Sequence, residues 1–335
     1  MLRMRALLTN DDGIDSPGLH ALARALGAVA DVTVVAPADN QSAVARGITI
    51  RGALEVEERT IAGAARAFAV GGTPVDCVRF AEAADPATTF DVVVAGANLG
   101  LNLGDDVTYS GTVAAAMEGV LLGHPGLAVS QQSTSGELHH TRDGAYEFAT
   151  AERLVPRLAA LLAAGDLGRD VLLNVNCPTG DPRGVRACRL GRRIWSDQVE
   201  LDSEQDGRRR FRLYTGDADY HRAPGTDFEA VADGFVAITA LHRGEIDAAL
   251  VGAVDLAGGP GLPVGGLAPV AVEGALVRVE EDGLQIRHRR WLIDAREVRE
   301  EHIRLRQAME RTERQGLRAA VTGHGRGPVD ARRPR

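Results

Sequence analysis

Apolar and polar positions in the first half of the chain alternate between strand-like runs and helical spacing. Residues 4–9 are a short apolar run leading into Thr9 and Asn10, the pattern of a buried strand. From 17 to 30 the apolar residues fall at helical spacing, at Leu19, Leu22, Ala23 and Leu26, and residues 31–36 ("DVTVVA") return to a strand pattern. Strand, helix and strand in that order imply a parallel pair joined by a right-handed crossover. Residues 91–95 ("DVVVA") are apolar throughout, as expected when both faces of a strand are covered. A helix is predicted over 112–122, a strand over 126–130, a helix over 152–164 and a strand over 170–175. In "VGGTPVDCVRF", residues 70–80, Thr73-Pro74 precedes an apolar helix start. Residues 1–180 therefore read as one doubly wound α/β unit.

The pattern changes after Pro178. Residues 183–242 mix short strands with charged turns, and 244–269 are rich in Gly and Pro, the composition of a linker or irregular loop. Residues 275–288 alternate around a Glu-Asp-Gly turn and predict a hairpin. Residues 294–318 predict a highly charged helix with sparse apolar positions, and 323–335 a disordered tail. Four segments result: 1–180, 181–243, an extension over 244–322 with no functional account, and the tail 323–335.

Composition narrows the chemistry. With 335 residues the chain can bury a large core, and its net charge of -8 argues against a dedicated DNA or RNA binder. Its basic residues are all Arg. The absence of Lys excludes a P-loop lysine, a Schiff-base lysine and a kinase-type lysine. Cys77, Cys177 and Cys188 form no Cys-x-x-Cys pair, which fits a reducing compartment. The N-terminal apolar run is too short for a secretory signal, and no segment approaches the roughly 18 apolar residues of a membrane span. A soluble cytoplasmic protein is expected.

In open α/β sheets, ligands bind outside the carboxyl ends of the strands. That rule gathers three loops. The first delivers Asn10, Asp11 and Asp12; the second, "PADNQS", delivers Asn40 and Ser42; the third, "GANLGLNLGDD", delivers Asn98, Asn102, Asp105 and Asp106. All are oxygen donors, the type that favours Mg or Mn over zinc. Adjacent carboxylates repel unless a cation neutralises them. Asn-Asp-Asp-Gly alone also reads as a polar turn. Ser110, Gly111 and Thr112 precede a helix of small residues, and a helix N-terminus attracts anions. By itself this run also reads as a plain N-cap. Beside a metal it reads as a phosphate cradle. Asp76 and Glu118 are expected to be structural and Cys77 a core residue. Arg46 is a candidate for added charge, and His139 and His140 either line the pocket or are solvated.

The runs "LLTNDDGIDSPGLHALARAL", "VVAPADNQSA", "GGTPVDCV", "AGANLGLNLGDDVTYSGTVAAAMEG" and "PGTDFEAVADGFVAITAL" resemble the SurE family of nucleotidases, in the family's own order, over residues 4–242. The resemblance implies a metal-dependent phosphatase of nucleoside 5′- and 3′-monophosphates, in some members also active on short polyphosphate. It implies a Rossmann-like, mostly parallel sheet and a smaller oligomerising region over 181–243 that exchanges arms in a homodimer or homotetramer. It places the ligands of one divalent metal ion per subunit on Asp11, Asp12, Ser42 and Asn98. It places the phosphate contacts on Ser110, Gly111 and Thr112, with Asn10 and Asn98 beside them. Ala38, Ala97, Leu99 and Leu101 depart from the family's usual residues and bear on pocket shape.

The resulting expectation is hydrolysis of a phosphomonoester, with Asp11 and Asp12 catalytic and either one the general base. Two alternatives stay open. One is a haloacid-dehalogenase type phosphatase with an aspartyl nucleophile, opposed by the missing Asp-x-Asp spacing and missing Lys. The other is a regulatory protein that binds nucleotide or metal without turnover.

Overall fold

The computed structural model describes residues 3–84, 89–138, 144–195, 199–213, 218–242, 254–255, 276–280 and 283–287. β1 (Met4–Thr9) has its inner residues buried on both faces: Ala6 and Leu8 enter one core, Leu7 the other. α1 (Pro17–Gly27) starts behind an extended Ser16, with Pro17 in its first turn, and buries Leu19, Leu22, Ala23 and Leu26 as their spacing predicts. It stops three residues short of the predicted 17–30. The reason is tertiary. Val29 N–H turns back to the Leu26 carbonyl (2.9 Å), and β2 (Ala30–Pro37) pairs in parallel with β1 from its first residue, Ala30 opposite Met4.

β3 (Val56–Arg59) and β4 (Arg66–Val70) follow, then α2 (Pro74–Ala84) and β5 (Val92–Leu99). Next come a short 3-10 helix (Gly104–Thr108), α3 (Gly111–Leu121), β6 (Gly126–Gln131), α4 (Ala149–Ala164) and β7 (Val171–Cys177). β8 (Val185–Cys188), β9 (Arg193–Ile194), β10 (Val199–Gln205), β11 (Arg208–Leu213), β12 (Asp219–Tyr220), α5 (Asp227–Ala232) and β13 (Val236–His242) complete the described core. One nine-stranded sheet runs β3-β4-β2-β1-β5-β6-β7-β13-β8. Every neighbouring pair from β4 to β7 is parallel. β3 pairs antiparallel to β4 at one edge and β13 antiparallel to β7 near the other. This is the α/β, mostly parallel architecture expected from the repeating strand–helix pattern, and of the strands after residue 180 β8 and β13 join the same sheet.

The helices divide between the faces. α1 and α4 cover one through Leu19, Leu22, Leu26, Leu154, Val155, Leu158 and Leu162. α2 and α3 cover the other through Cys77, Val78, Ala81, Val113, Ala115, Ala116 and Val120. Burying a Leu or Val side chain stabilises by about 1.5–3 kcal/mol, so these two layers fix the sheet edge that carries the site.

β10 and β11 form a separate two-stranded ribbon, exposed along its length. The hairpin predicted over 275–288 forms as β15 (Leu276–Glu280) and β16 (Gly283–Arg287), antiparallel with Glu280 opposite Gly283; β14 (Val254–Asp255) pairs in parallel with β15. The rest of the Gly/Pro linker, the charged helix over 294–318 and the tail lie outside the described residues, as do His139 and His140.

Candidate active site

β2, β1 and β5 are neighbours in the sheet, so the loops leaving their carboxyl ends open on one edge. β5 carries an extra residue relative to β6, between Ala95 and Asn98. Such a bulge re-aims the side chains that follow it. Gly96 makes the bulge possible: its φ is +135°, and a Cβ there would fall 2.3 Å from the Val129 carbonyl oxygen.

Asp11 is buried at the start of α3. Its carboxylate accepts a hydrogen bond from the Thr112 hydroxyl and is satisfied further by the N–H groups of Thr112 and Gly111. Gly111 has no side chain because there is no room: a Cβ would lie 2.8 Å from both Cβ and Oδ2 of Asp11. Burial pushes the Asp11 carboxyl above its ordinary value, and the Thr112 hydroxyl and the α3 N–H groups oppose that rise. Asp12, half-buried, accepts from Leu99 N–H (3.0 Å). Burial first, and the Asp11 charge second, raise it to about 7 against that one hydrogen bond.

Asn98 completes the group. Its Nδ2 donates to the Gly100 carbonyl (2.9 Å), which leaves Oδ1 facing Thr112 Oγ1 at 3.4 Å. The amide oxygen and both carboxylates thus converge. Gln41 N–H donates to the Asp11 backbone carbonyl (2.7 Å), which brings the second loop alongside. Ser42 follows directly; its N–H is turned to Asn40 Oδ1 (2.9 Å) and it is exposed. Asn10 is fully buried; its Nδ2 holds the turn through the Gly13 carbonyl (2.8 Å), and its Oδ1 has no partner among the described residues. Among the described residues no group of three or more His, Cys, Asp or Glu is placed to hold a metal ion. A cation here would take amide and hydroxyl oxygens beside the two carboxylates. Two carboxyls raised by burial, Asp12 also by the Asp11 charge, with the Asn10 amide oxygen unpartnered among the described residues, fit a hard divalent ion.

The remaining candidate residues have partners of their own. The Ser110 hydroxyl caps α3 by accepting from Val113 N–H (3.0 Å), so that side chain serves the helix. Asn102 belongs to a buried amide network, bonded to Ser130 Oγ (2.8 Å) and Asn176 Oδ1 (2.8 Å). Asp106 is ion-paired to the buried Arg193, and Asp105 accepts from Arg193 N–H (3.1 Å). Neither acid reaches the pair, because the 3-10 helix turns them toward β9. Asp227 fixes that helix, accepting from Gly104 N–H (2.7 Å) and Gly191 N–H (2.7 Å); burial raises it to about 6 against these bonds. Arg46 is held by the buried Glu118 (3.0 Å), about two turns along α3 from Thr112. Asp76 orients its loop by accepting from Thr49 and Thr73, and Cys77 is buried with its thiol pushed up by burial.

Tyr146 also entered only through the structure. It lies before α4 and stacks on Phe148 (6.5 Å, 14°). Burial raises its phenol, and the negative charges of Asp12 and Glu137 add to that. Two aromatics in a polar loop give no periodic signal.

A family model described as survival protein SurE matches residues 6–197. The 5′-nucleotidase SurE of Rubrobacter xylanophilus is 44% identical over 256 residues, covering 73% of this chain and 94% of that protein. The 5′-nucleotidase SurE of Deinococcus radiodurans is 40% identical over 253 residues, covering 72% and 87%. The crystal structure of SurE from Aquifex aeolicus has 32% identity and a TM-score of 0.58, covering 71% of this chain and 93% of that one.

Proposed function

The chain belongs to the SurE family, and from that premise we propose that it is a 5′-nucleotidase that hydrolyses nucleoside monophosphates to nucleoside and phosphate. The observation that carries this reading is the meeting of Asp11 and Asn98 at Thr112 in the first turn of α3, with the Asp12 carboxylate bonded to Leu99 N–H beside Asn98. We extend it to 3′-monophosphates and to dependence on a divalent ion, Mg or Mn, one per subunit. Asp11, Asp12, Ser42 and Asn98 would hold the ion. When bound, it supplies Lewis-acid stabilisation of charge on the phosphoryl group.

The chain's own groups do the rest. The positive end of the α3 dipole lies beside Asp11 and favours a phosphate there, while Asp11 and Ser110 already accept the first N–H groups of the helix. Gly111 keeps that approach open, and the Thr112 hydroxyl orients the Asp11 carboxylate. Asn10 supports the turn that presents both acids. Asp12 is the carboxylate nearer solvent, which places it to orient the attacking water.

The same reading includes self-association. Val199 faces Leu213 and Leu201 faces Phe211 across the β10–β11 ribbon, all four more than half exposed, with Val199 at 56%. An isolated two-stranded ribbon is marginal in water, which supports its burial against another copy in a dimer or tetramer. Three free, buried cysteines support a reducing, cytoplasmic setting, and among the described residues no helix is long and apolar enough to cross a membrane.

The test is phosphate release from a panel of 5′- and 3′-monophosphates with Mg, with Mn and with chelator, beside Asp11→Asn. Release that is abolished by chelator and by the substitution is expected. No release by folded protein with any metal would refute the reading.

A further inference from the structure

Two exposed aromatic rings pair next to Ser110, the residue that caps α3. Tyr109, directly before Ser110, is 57% exposed, and Trp195, directly after β9, is 42% exposed. Their centroids are 6.3 Å apart and their planes meet at 89°. Neither is loosely placed. Tyr109 N–H donates to the Asp106 carbonyl (3.0 Å), and its own carbonyl accepts from Ala45 N–H (3.2 Å). β9 is fixed to the 3-10 helix by Arg193, whose N–H donates to Asp105 Oδ2 (3.1 Å) and whose Nε donates to Asp106 Oδ1 (2.6 Å). The same guanidinium lies 5.6 Å from the Trp195 ring centroid. One buried ion pair therefore positions both rings beside the start of α3.

We propose that Tyr109 and Trp195 form the platform on which the base of a nucleoside monophosphate stacks while its phosphate is held at the start of α3. The inference rests on the nucleotidase reading for the phosphate end. Tyr109 is one residue, about 3.8 Å along the backbone, from the start of the cradle. The platform requires that one ribose span the gap from a phosphate held there to a base on the ring pair. Because the rings are perpendicular, a base parallel to one meets the other edge-on, and both arrangements are favourable for π systems. Every base has a π face, so such a platform accepts all of them and favours the larger purines. This accounts for two large apolar rings left in water next to a site built of carboxylates and amides.

The experiment compares adenosine 5′-monophosphate with ribose 5-phosphate, which carries the same phosphate and no base. The ratio of their kcat/KM values is measured in wild type, Trp195→Leu, Trp195→Phe and Tyr109→Leu. Trp195→Leu is expected to lower the ratio about ten-fold, a typical loss for one base stack, and Trp195→Phe to retain most of it. Tryptophan fluorescence gives a second readout that needs no turnover, since the chain has only two Trp. Quenching by adenosine 5′-monophosphate but not ribose 5-phosphate, lost in Trp195→Phe, supports the platform. An equal ratio in wild type and Trp195→Leu, or no base-dependent quenching, overturns it while leaving hydrolysis intact. Base-dependent quenching without phosphate release keeps the platform and refutes the nucleotidase reading. Equal losses on both substrates with a changed oligomer size would make the pair an interface and overturn the proposal.

Discussion

At Asp11 three demands meet in one side chain. It must be buried, it must stay available as an anion, and it must leave room for the first turn of α3. The Thr112 hydroxyl and the α3 N–H groups answer the second demand, and Gly111 answers the third. Thr112→Val should therefore lower kcat/KM about ten-fold or more, the usual cost of losing a supporting hydrogen bond at a metal site. Gly111→Ala places a methyl 2.8 Å from the Asp11 carboxylate and should abolish most activity while leaving the melting temperature within a few degrees of wild type. Asp12 adds a pH dependence. With its value raised to about 7, the acid is protonated below that pH and binding of a cation must displace the proton. Mn affinity, titrated without substrate from pH 5.5 to 8.5, should rise toward pH 7 and level off above it. A flat profile would contradict the assignment of Asp12 as a ligand.

At the scale of elements, loops are pinned by buried carboxylates outside the active pair. Burial opposes the charge on Asp76, yet hydrogen bonds from Thr49 and Thr73 outweigh it and hold the carboxyl below its ordinary 3.8. A folded-state value below the unfolded one stabilises the protein above pH 3.8, and that contribution disappears as the pH falls through the lower, folded-state value. Asp76→Ala should cost about 1–3 kcal/mol at neutral pH, because it leaves the loop N–H groups unpaired. Urea unfolding of both proteins should show that gap narrowing only on strong acidification. These pins were not readable from local pattern. Asp76, Asp105, Asp106 and Asp227 look alike in the chain, and only the packed loops decide which acid accepts N–H groups, which meets Arg193 and which reaches the site.

For the whole molecule, the sheet and the ribbon pose different problems. The sheet hides its faces beneath helices. The ribbon of β10 and β11 presents Val199, Leu201, Phe211 and Leu213 together. Leu201→Asp with Phe211→Asp should shift sedimentation to a smaller species without unfolding the core. An unchanged sedimentation coefficient would argue that this face is not the subunit contact.

The central parallel strands, α1, α3 and α4 were legible because each buries a continuous run or a regular stripe. That periodicity is a local consequence of two covered sheet faces. β3 was missed because the edge strand Val56–Arg59 is mostly exposed and has no such run, whereas β4 was missed although it lies inside the sheet with Ala67, Ala69 and Val70 buried. The sequence also placed Asp11, Asp12 and Asn98 on one edge, since strand order and crossover handedness are nearly forced by the repeating pattern. Tertiary structure alone decided what those side chains face. The bulge at Gly96 turns Asn98 toward the carboxylates, α3 approaches Asp11 through a glycine, and Arg193 draws Asp106 away. Hydrogen-bond partners far apart in sequence are fixed only when the layers pack. The chain thus specified by itself which residue types arrive at the site, and packing decided which of their atoms meet.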